Sequence, residues 1–134
     1  ALASGATFIA RAFSGEIKHL QEIFQKAINH TGYALVDVFQ PCVTFNNVNT
    51  YDFYNERVYK LSEEEDYDTN DEEAARKKGL EWGSEIPIGV IFEADRPTYE
   101  EQVPGLKNGP ITKKELDRKK WDDVDFEELK KSYM

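Results

Sequence analysis

Tyr33-Ala34-Leu35-Val36-Asp37-Val38-Phe39, followed at once by Gln40-Pro41-Cys42, is the stretch that decides the fold. The run is rich in Val, Tyr and Phe, which favour a pleated backbone. Its near-continuous apolar character marks a parallel strand covered on both faces. Pro41 has no N–H to give to a ladder, so pairing ends there. Cys42, the only cysteine of the chain, then falls in the turn just past the carboxyl end of that strand. In open α/β sheets this edge is where ligands bind. Thr44, Asn46 and Asn47 surround the thiol with small polar side chains suited to turns. Lone cysteines more often serve as small buried hydrophobes, and on these residues alone both readings of Cys42 stand.

Upstream of Tyr33, Ala6 to Phe13 reads as a strand. Thr7, Ile9 and Phe13 favour it, Ala6, Ala10 and Ala12 weaken it, and Arg11 marks a side that reaches solvent or an anion. Between the two strands lies a helix over 15–31. Ser14 is a suitable N-cap, Glu16 complements the dipole in the first turn, and Gly32 supplies the stop. Ile17, Leu20, Phe24, Ala27 and Ile28 form its apolar stripe. Strand, helix, strand makes one βαβ unit with a right-handed crossover. Ala1-Leu2-Ala3-Ser4-Gly5 reads as the last turn of a helix closed by a glycine, which leads to the expectation of an upstream half.

Downstream, Asn49 is placed to cap a helix running through Leu61, with Tyr51, Tyr54, Val58 and Leu61 on one side. Glu63 to Glu73 is dense in acid but has no central glycine, so it does not read as an EF-hand. It reads as a solvated loop entering a helix from Asp71 to Trp82. Ile86 to Phe92 is a further strand of the same sheet, with Pro87 near a strand end or sheet edge. Glu93 to Gly109, broken by Pro97, Pro104, Gly105 and Gly109, reads as an extended arm. Residues 103–134 form a charged tail or short helix.

The chain has 134 residues, 32% of them charged and 40% hydrophobic, with a formal net charge of −9. That fits one soluble globular domain and argues against nucleic acid or an anionic membrane as partner. A single cysteine forms no internal disulfide, which points to the cytoplasm. There is no glycine-rich phosphate loop, nucleophile elbow or paired-cysteine zinc motif. His19 and His30 lie on one helix without sharing a face and are expected at the surface or its boundary. The residues alone lead to an α/β piece with one well-placed thiol.

Five blocks carry a resemblance. They are Gly5-Ala6-Thr7-Phe8-Ile9-Ala10-Arg11-Ala12-Phe13-Ser14-Gly15; Ala34-Leu35-Val36-Asp37-Val38-Phe39-Gln40-Pro41-Cys42-Val43-Thr44-Phe45-Asn46; Asn49-Thr50-Tyr51 leading to Glu56-Arg57-Val58-Tyr59; Ile86-Pro87-Ile88-Gly89-Val90; and Arg96-Pro97-Thr98-Tyr99-Glu100. In this order the sequence resembles the beta subunit of 2-oxoacid:ferredoxin oxidoreductases, as far as about Gln102.

The resemblance implies the carboxyl-terminal half of a thiamine-diphosphate-binding domain over residues 1–102, with a mainly parallel sheet and flanking helices. It implies that Cys42, in its Pro-Cys turn, is the fourth ligand of a [4Fe–4S] cluster. The other three cysteines and the Mg²⁺–diphosphate segment belong to the amino-terminal half. The implied reaction is oxidative decarboxylation of a 2-oxoacid with coenzyme A, with electrons passing to ferredoxin. An alpha subunit is the implied partner, and this part alone is expected to be inactive. Val43-Thr44-Phe45-Asn46 resembles the 2-oxoglutarate and broad-specificity members. An uncovered sheet would favour self-association of the chain.

Two other readings differ in class. One is a self-standing structural or interaction domain derived from that subunit, with Cys42 merely structural. The other is a peroxidase-type thiol, which needs neighbouring cations. None lies between Tyr33 and Glu56, so it ranks last.

Overall fold

The computed structural model describes residues 1–106, 109, 111–113 and 130–131. The chain divides into two compact units, Ala1–Thr98 and Tyr99–Met134. The first contains a four-stranded sheet with the order β2-β1-β4-β3. Its strands are β1 (Phe8–Phe13), β2 (Ala34–Phe39), β3 (Val58–Lys60) and β4 (Ile86–Glu93). Helices α1 (Ile17–Asn29), α2 (Tyr51–Asn55) and α3 (Glu72–Leu80) flank it.

The βαβ unit is present. β1 and β2 are parallel and in register from Phe8 opposite Ala34 to Phe13 opposite Phe39, with α1 between them in sequence. β4 joins the same sheet antiparallel to β1, with a register shift between Ile9 and Ala10. β3 pairs parallel to β4. The sheet is therefore mixed, with two parallel pairings of three.

β4 is buried along its length apart from Glu93, as expected for a strand with a partner on each edge. Pro87 is tolerated there for a specific reason. Ile86 N–H donates to Arg57 O on the β3 side, so the next position faces β1, where pairing begins only at Gly89. The missing N–H costs no ladder bond.

The alanines that weaken the reading of β1 are needed by the layer above them. Ala10 and Ala12 are fully buried and pack with Phe8, Val90 and Ile23, while Leu20, Val36 and Val38 close over them. Small side chains here let α1 approach the sheet.

Several sequence expectations need correction. The buried face of α1 is centred on Ile23, with His19 beside it and Leu20 and Ala27 half-buried. Ile17, Phe24 and Ile28, placed in the stripe, are exposed. Both sets have helical spacing, and the sheet selects one. The helix also starts differently. Glu16 occupies the N-cap with no side-chain bond, and His30, not Gly32, is the C-cap. Gly32 serves β2 entry instead. Its φ is 140°, and a Cβ would collide with Thr7 Oγ1.

The helix expected through Leu61 ends at Asn55, and its cap is Thr50, whose side chain accepts from Phe53 N. Val58–Lys60 is strand. Val and Tyr suit a pleated surface, and the ladder to β4 outweighs the helical spacing of Tyr54, Val58 and Leu61. The acidic run leads into α3, as its charge pattern implies. Asp71 Oδ1 caps α3 by accepting from Glu73 N at 2.8 Å and Ala74 N at 3.1 Å. That helix ends at Leu80.

β2 is also not the strand its composition describes. It lies at the sheet edge and is only half-buried along most of its length. Its Ala34, Val36 and Val38 face the α1 layer; the opposite face is incompletely covered.

The second unit contains α4 (Tyr99–Gln102) and 3-10 turns at Pro104–Leu106 and Ile111–Lys113. The segment read as an extended arm therefore carries short helical turns. Most of the charged tail lies outside the described residues.

The two faces of α1 can be told apart by truncation. Ile23→Ala should cost about 2–5 kcal/mol, as deletion in a packed core does. Ile28→Ala should change stability by less than about 0.5 kcal/mol. Urea denaturation of both variants checks this, and equal losses would mean that α1 presents a different face.

Candidate functional site

The site is built at the carboxyl ends of β1 and β2, which the parallel pairing brings to one end of the sheet. Phe13 and Phe39, the last residues of the two strands, lie opposite each other. Ser14 N–H then donates to Phe39 O at 2.9 Å, which extends the pairing one step. The hydroxyl Oγ of Ser14 is buried without a hydrogen-bond partner.

Aromatic rings floor this end. Phe39 stacks on Tyr54 with centroids 5.1 Å apart, and Phe13 packs on Tyr54 at 5.3 Å. Trp82 meets Phe39 edge-on at 5.5 Å. Tyr54 is buried while Trp82 is 55% exposed, so the cluster runs from the core to the surface.

Over this floor the chain turns at Pro41, which is buried. Cys42 O accepts from Phe45 N at 3.2 Å and from Asn46 N at 2.8 Å. Asn46 Oδ1 then accepts from Val48 N and Asn49 N, at 2.9 and 3.0 Å. This is the small polar side-chain bonding that the composition of the turn implies. Thr50 takes over as cap of α2. The turn is thus held by backbone bonds to Cys42 O at its start and by the Asn46 side chain at its end, and the Cys42 thiol is free and exposed. Val43, Phe45 and Val48 beside it are exposed too, Phe45 at 89%.

A buried role for Cys42 is therefore not what this fold gives it. What the turn can do is present one soft donor atom, flanked by exposed apolar side chains, past the carboxyl ends of β1 and β2, the end of an open α/β sheet at which ligands generally bind. Among the described residues, no group of three or more His, Cys, Asp or Glu side chains is placed to hold a metal ion.

Arg11, expected to reach an anion or solvent, binds Asp37 of the neighbouring strand at 3.2 Å. It also donates to Gly79 O at 3.2 Å and lies 5.2 Å from the Phe39 ring centroid.

His19 departs from expectation, because it is buried; His30 lies at the boundary as expected, with its ring turned inward. The His30 ring bonds Thr7 Oγ1 at 2.8 Å and is 6% exposed. Thr7 Oγ1 also accepts from Tyr33 N, so His30 ties the start of β1 to the start of β2. His19 is 8% exposed, and its Nδ1 has no partner. Burial pulls the His19 pKa below its ordinary value of 6.5. The Lys60 cation adds to this, while Glu22 and Glu16 oppose it.

A second polar cluster escapes the sequence altogether. Lys78 Nζ bonds Glu64 at 2.7 Å and the Tyr59 hydroxyl at 2.9 Å, and it lies 3.3 Å from Glu81. Tyr59 donates to Glu81. Burial, then the bond to Glu81, push the Tyr59 pKa up to about 12. For Lys78, burial pulls down, but the bonds to Glu64, Tyr59 and Glu81 outweigh it and hold the ammonium charged. This cluster clamps α3 to β3. With Tyr59 assigned to a helix, no sequence signal brings its members together.

His19 gives a pH prediction with a definite sign. The unfolded chain protonates near 6.5, whereas the folded chain resists, so the stability held above that value is lost as pH falls through the window beneath it. The stability difference between wild type and His19→Gln should therefore narrow with falling pH, by at most about 1.4 kcal/mol per pH unit. Urea titrations across pH measure it. A constant gap would show that His19 is not the group responsible.

Comparison with known proteins adds an independent line. The profile of a family described as the C-terminal part of the pyruvate ferredoxin oxidoreductase beta subunit matches residues 42–108, half of the chain. The beta subunit of 2-oxoacid:ferredoxin oxidoreductase 1 from Aeropyrum pernix is 48% identical over 113 residues, covering 77% of this chain and 36% of the relative. The corresponding subunit of Saccharolobus solfataricus is 42% identical over 113 residues, covering 77% and 37%. Among solved structures, a 2-oxoglutarate:ferredoxin oxidoreductase from Magnetococcus marinus superimposes with a TM-score of 0.74. It is 32% identical, and the match covers 90% of this chain and 41% of that one. That structure holds 2-oxoglutarate, coenzyme A and succinyl-CoA. The chain spans little more than a third of the length of the curated relatives it matches.

Proposed function

Because the chain belongs to the family of 2-oxoacid:ferredoxin oxidoreductase beta subunits, we propose that it is the carboxyl-terminal part of such a subunit and that Cys42 is one thiolate ligand of a [4Fe–4S] cluster. One observation carries the reading. Cys42 is an exposed thiol in a backbone-bonded turn past the carboxyl ends of a parallel strand pair, where a ligand has access.

The donor set fits one corner of such a cluster. A [4Fe–4S] centre takes four cysteine thiolates, and this chain has one cysteine, so the other three come from the rest of the subunit. Pro41 seats the turn in the core, and the two N–H bonds to Cys42 O hold its backbone. Val43 and Phe45 are the apolar cover that would keep water from the metal side of the thiolate.

On this reading the whole enzyme oxidatively decarboxylates a 2-oxoacid with coenzyme A and delivers electrons to ferredoxin. Thiamine diphosphate with Mg²⁺, held outside this chain, supplies the electron sink for the decarboxylation. The partners are the alpha subunit and ferredoxin, and the chain by itself is inactive. Val43-Thr44-Phe45-Asn46 favours 2-oxoglutarate or a broad range of 2-oxoacids, in line with the substrate held by the Magnetococcus marinus enzyme. Among the described residues no helix is long and apolar enough to cross a membrane; the cytoplasm is the proposed location.

The test is Cys42→Ser in the intact subunit assembled with its partner. The variant should lose most of its iron and most of its ferredoxin reduction, while folding as the wild type does, since the side chain is exposed. A variant with full iron content and normal ferredoxin reduction would refute the ligand assignment.

A further inference from the structure

From Cys42 to Val48 every residue is exposed except Asn46, which is half-buried. Among the described residues, Asn46 is also the only one of them whose side chain bonds the backbone. We propose that Asn46 is a positioning residue for Cys42, its side-chain carbonyl fixing the turn that presents the thiolate to the [4Fe–4S] cluster; this rests on the reading of Cys42 as a cluster ligand.

The chain around Cys42 closes on itself. On the incoming side Phe39 ends β2 and Pro41 is buried. On the outgoing side Asn46 N–H donates to Cys42 O at 2.8 Å, closing a single turn over the cysteine. Asn46 Oδ1 accepts from Val48 N at 2.9 Å and Asn49 N at 3.0 Å. That joins the turn to Thr50, the cap of α2. Helix α2 then carries Tyr54 back onto Phe39, with ring centroids 5.1 Å apart. Asn46 is therefore the joint between the cysteine turn and α2. Without Oδ1, two N–H groups lose their acceptor and Cys42 is tied to the fold from the β2 side alone.

The residue type has a reason as well. The acceptor must be short, because it serves N–H groups two and three residues on, as Asn, Asp, Ser and Thr side chains do. Of the two that offer a planar oxygen, asparagine alone is uncharged. A [4Fe–4S] centre held by four thiolates is anionic, and net charge near it sets its potential. A carboxylate at position 46 would hold the turn but oppose an arriving electron. Asparagine holds the turn without that cost.

The test uses the intact subunit assembled with its partner. Iron release to a chelator, the reduction potential of the cluster and urea unfolding are measured for Asn46→Ala and Asn46→Asp. Asn47→Ala, at an exposed neighbour, is the control. Asn46→Ala should release iron about tenfold faster than wild type, as removal of a group behind a metal ligand does, and its potential should shift. Asn46→Asp keeps the acceptor, so it should hold iron as wild type does while its potential moves negative. Wild-type iron release from Asn46→Ala overturns the proposal. So does equally fast release from Asn46→Asp or Asn47→Ala, a potential unchanged in both Asn46 variants, or iron release that only tracks unfolding. Full iron in Cys42→Ser removes the cluster reading and this role with it. Iron lost there but held by Asn46→Ala removes only the role of Asn46.

Discussion

The parallel ladder between Phe8–Phe13 and Ala34–Phe39 is the constraint on which the rest of the first unit depends. Parallel strands need a crossover, so α1 must lie between them in sequence and pack on one face. The ladder sets Phe13 and Phe39 side by side at one end, and Tyr54 and Trp82 can then gather on them. The turn of Cys42 follows from the same register, because Pro41 ends pairing shortly after Phe39. At the opposite end, Thr7 and His30 secure the beginnings of both strands through one hydroxyl. A shift of the register would separate all of these contacts at once.

The two faces of the sheet are finished to different degrees. On one, Ile23, Leu20 and Ala27 of α1 close over Phe8 and the alanines of β1. On the other, α3 covers β4 through Ala75 and Ile91 but leaves the floor near Leu35 open. That face is open in a chain that spans little more than a third of the length of the curated relatives it matches. The exposed Val43 and Phe45 beside the thiol have the same character.

Polar clusters inside the unit act as clamps rather than chemistry. Lys78 draws Glu64, Glu81 and Tyr59 together and lies 5.2 Å from the Tyr59 ring centroid, so its charge is compensated where α3 meets β3. Arg11 and Asp37 pair across β1 and β2. What is left over is one exposed thiol, Cys42, past the carboxyl end of β2.

The amino-acid sequence by itself determined the βαβ unit, the place of the cysteine just past the end of β2, a helix after the acidic run and the family. These depend on local propensity, on proline's missing donor and on residue identities in fixed order, all of which are written along the chain. Tertiary structure alone decided three matters. It chose Ile23 and His19 over Ile17, Phe24 and Ile28 as the buried face of α1, because two stripes have helical spacing and only the sheet can select between them. It made Val58–Lys60 a strand, because the ladder to β4 outweighs the helical spacing of the apolar residues around it. It set β2 at an edge and left the face beside Leu35 uncovered, because β1 gives its other edge to β4 and α3 packs on β4 through Ala75 and Ile91.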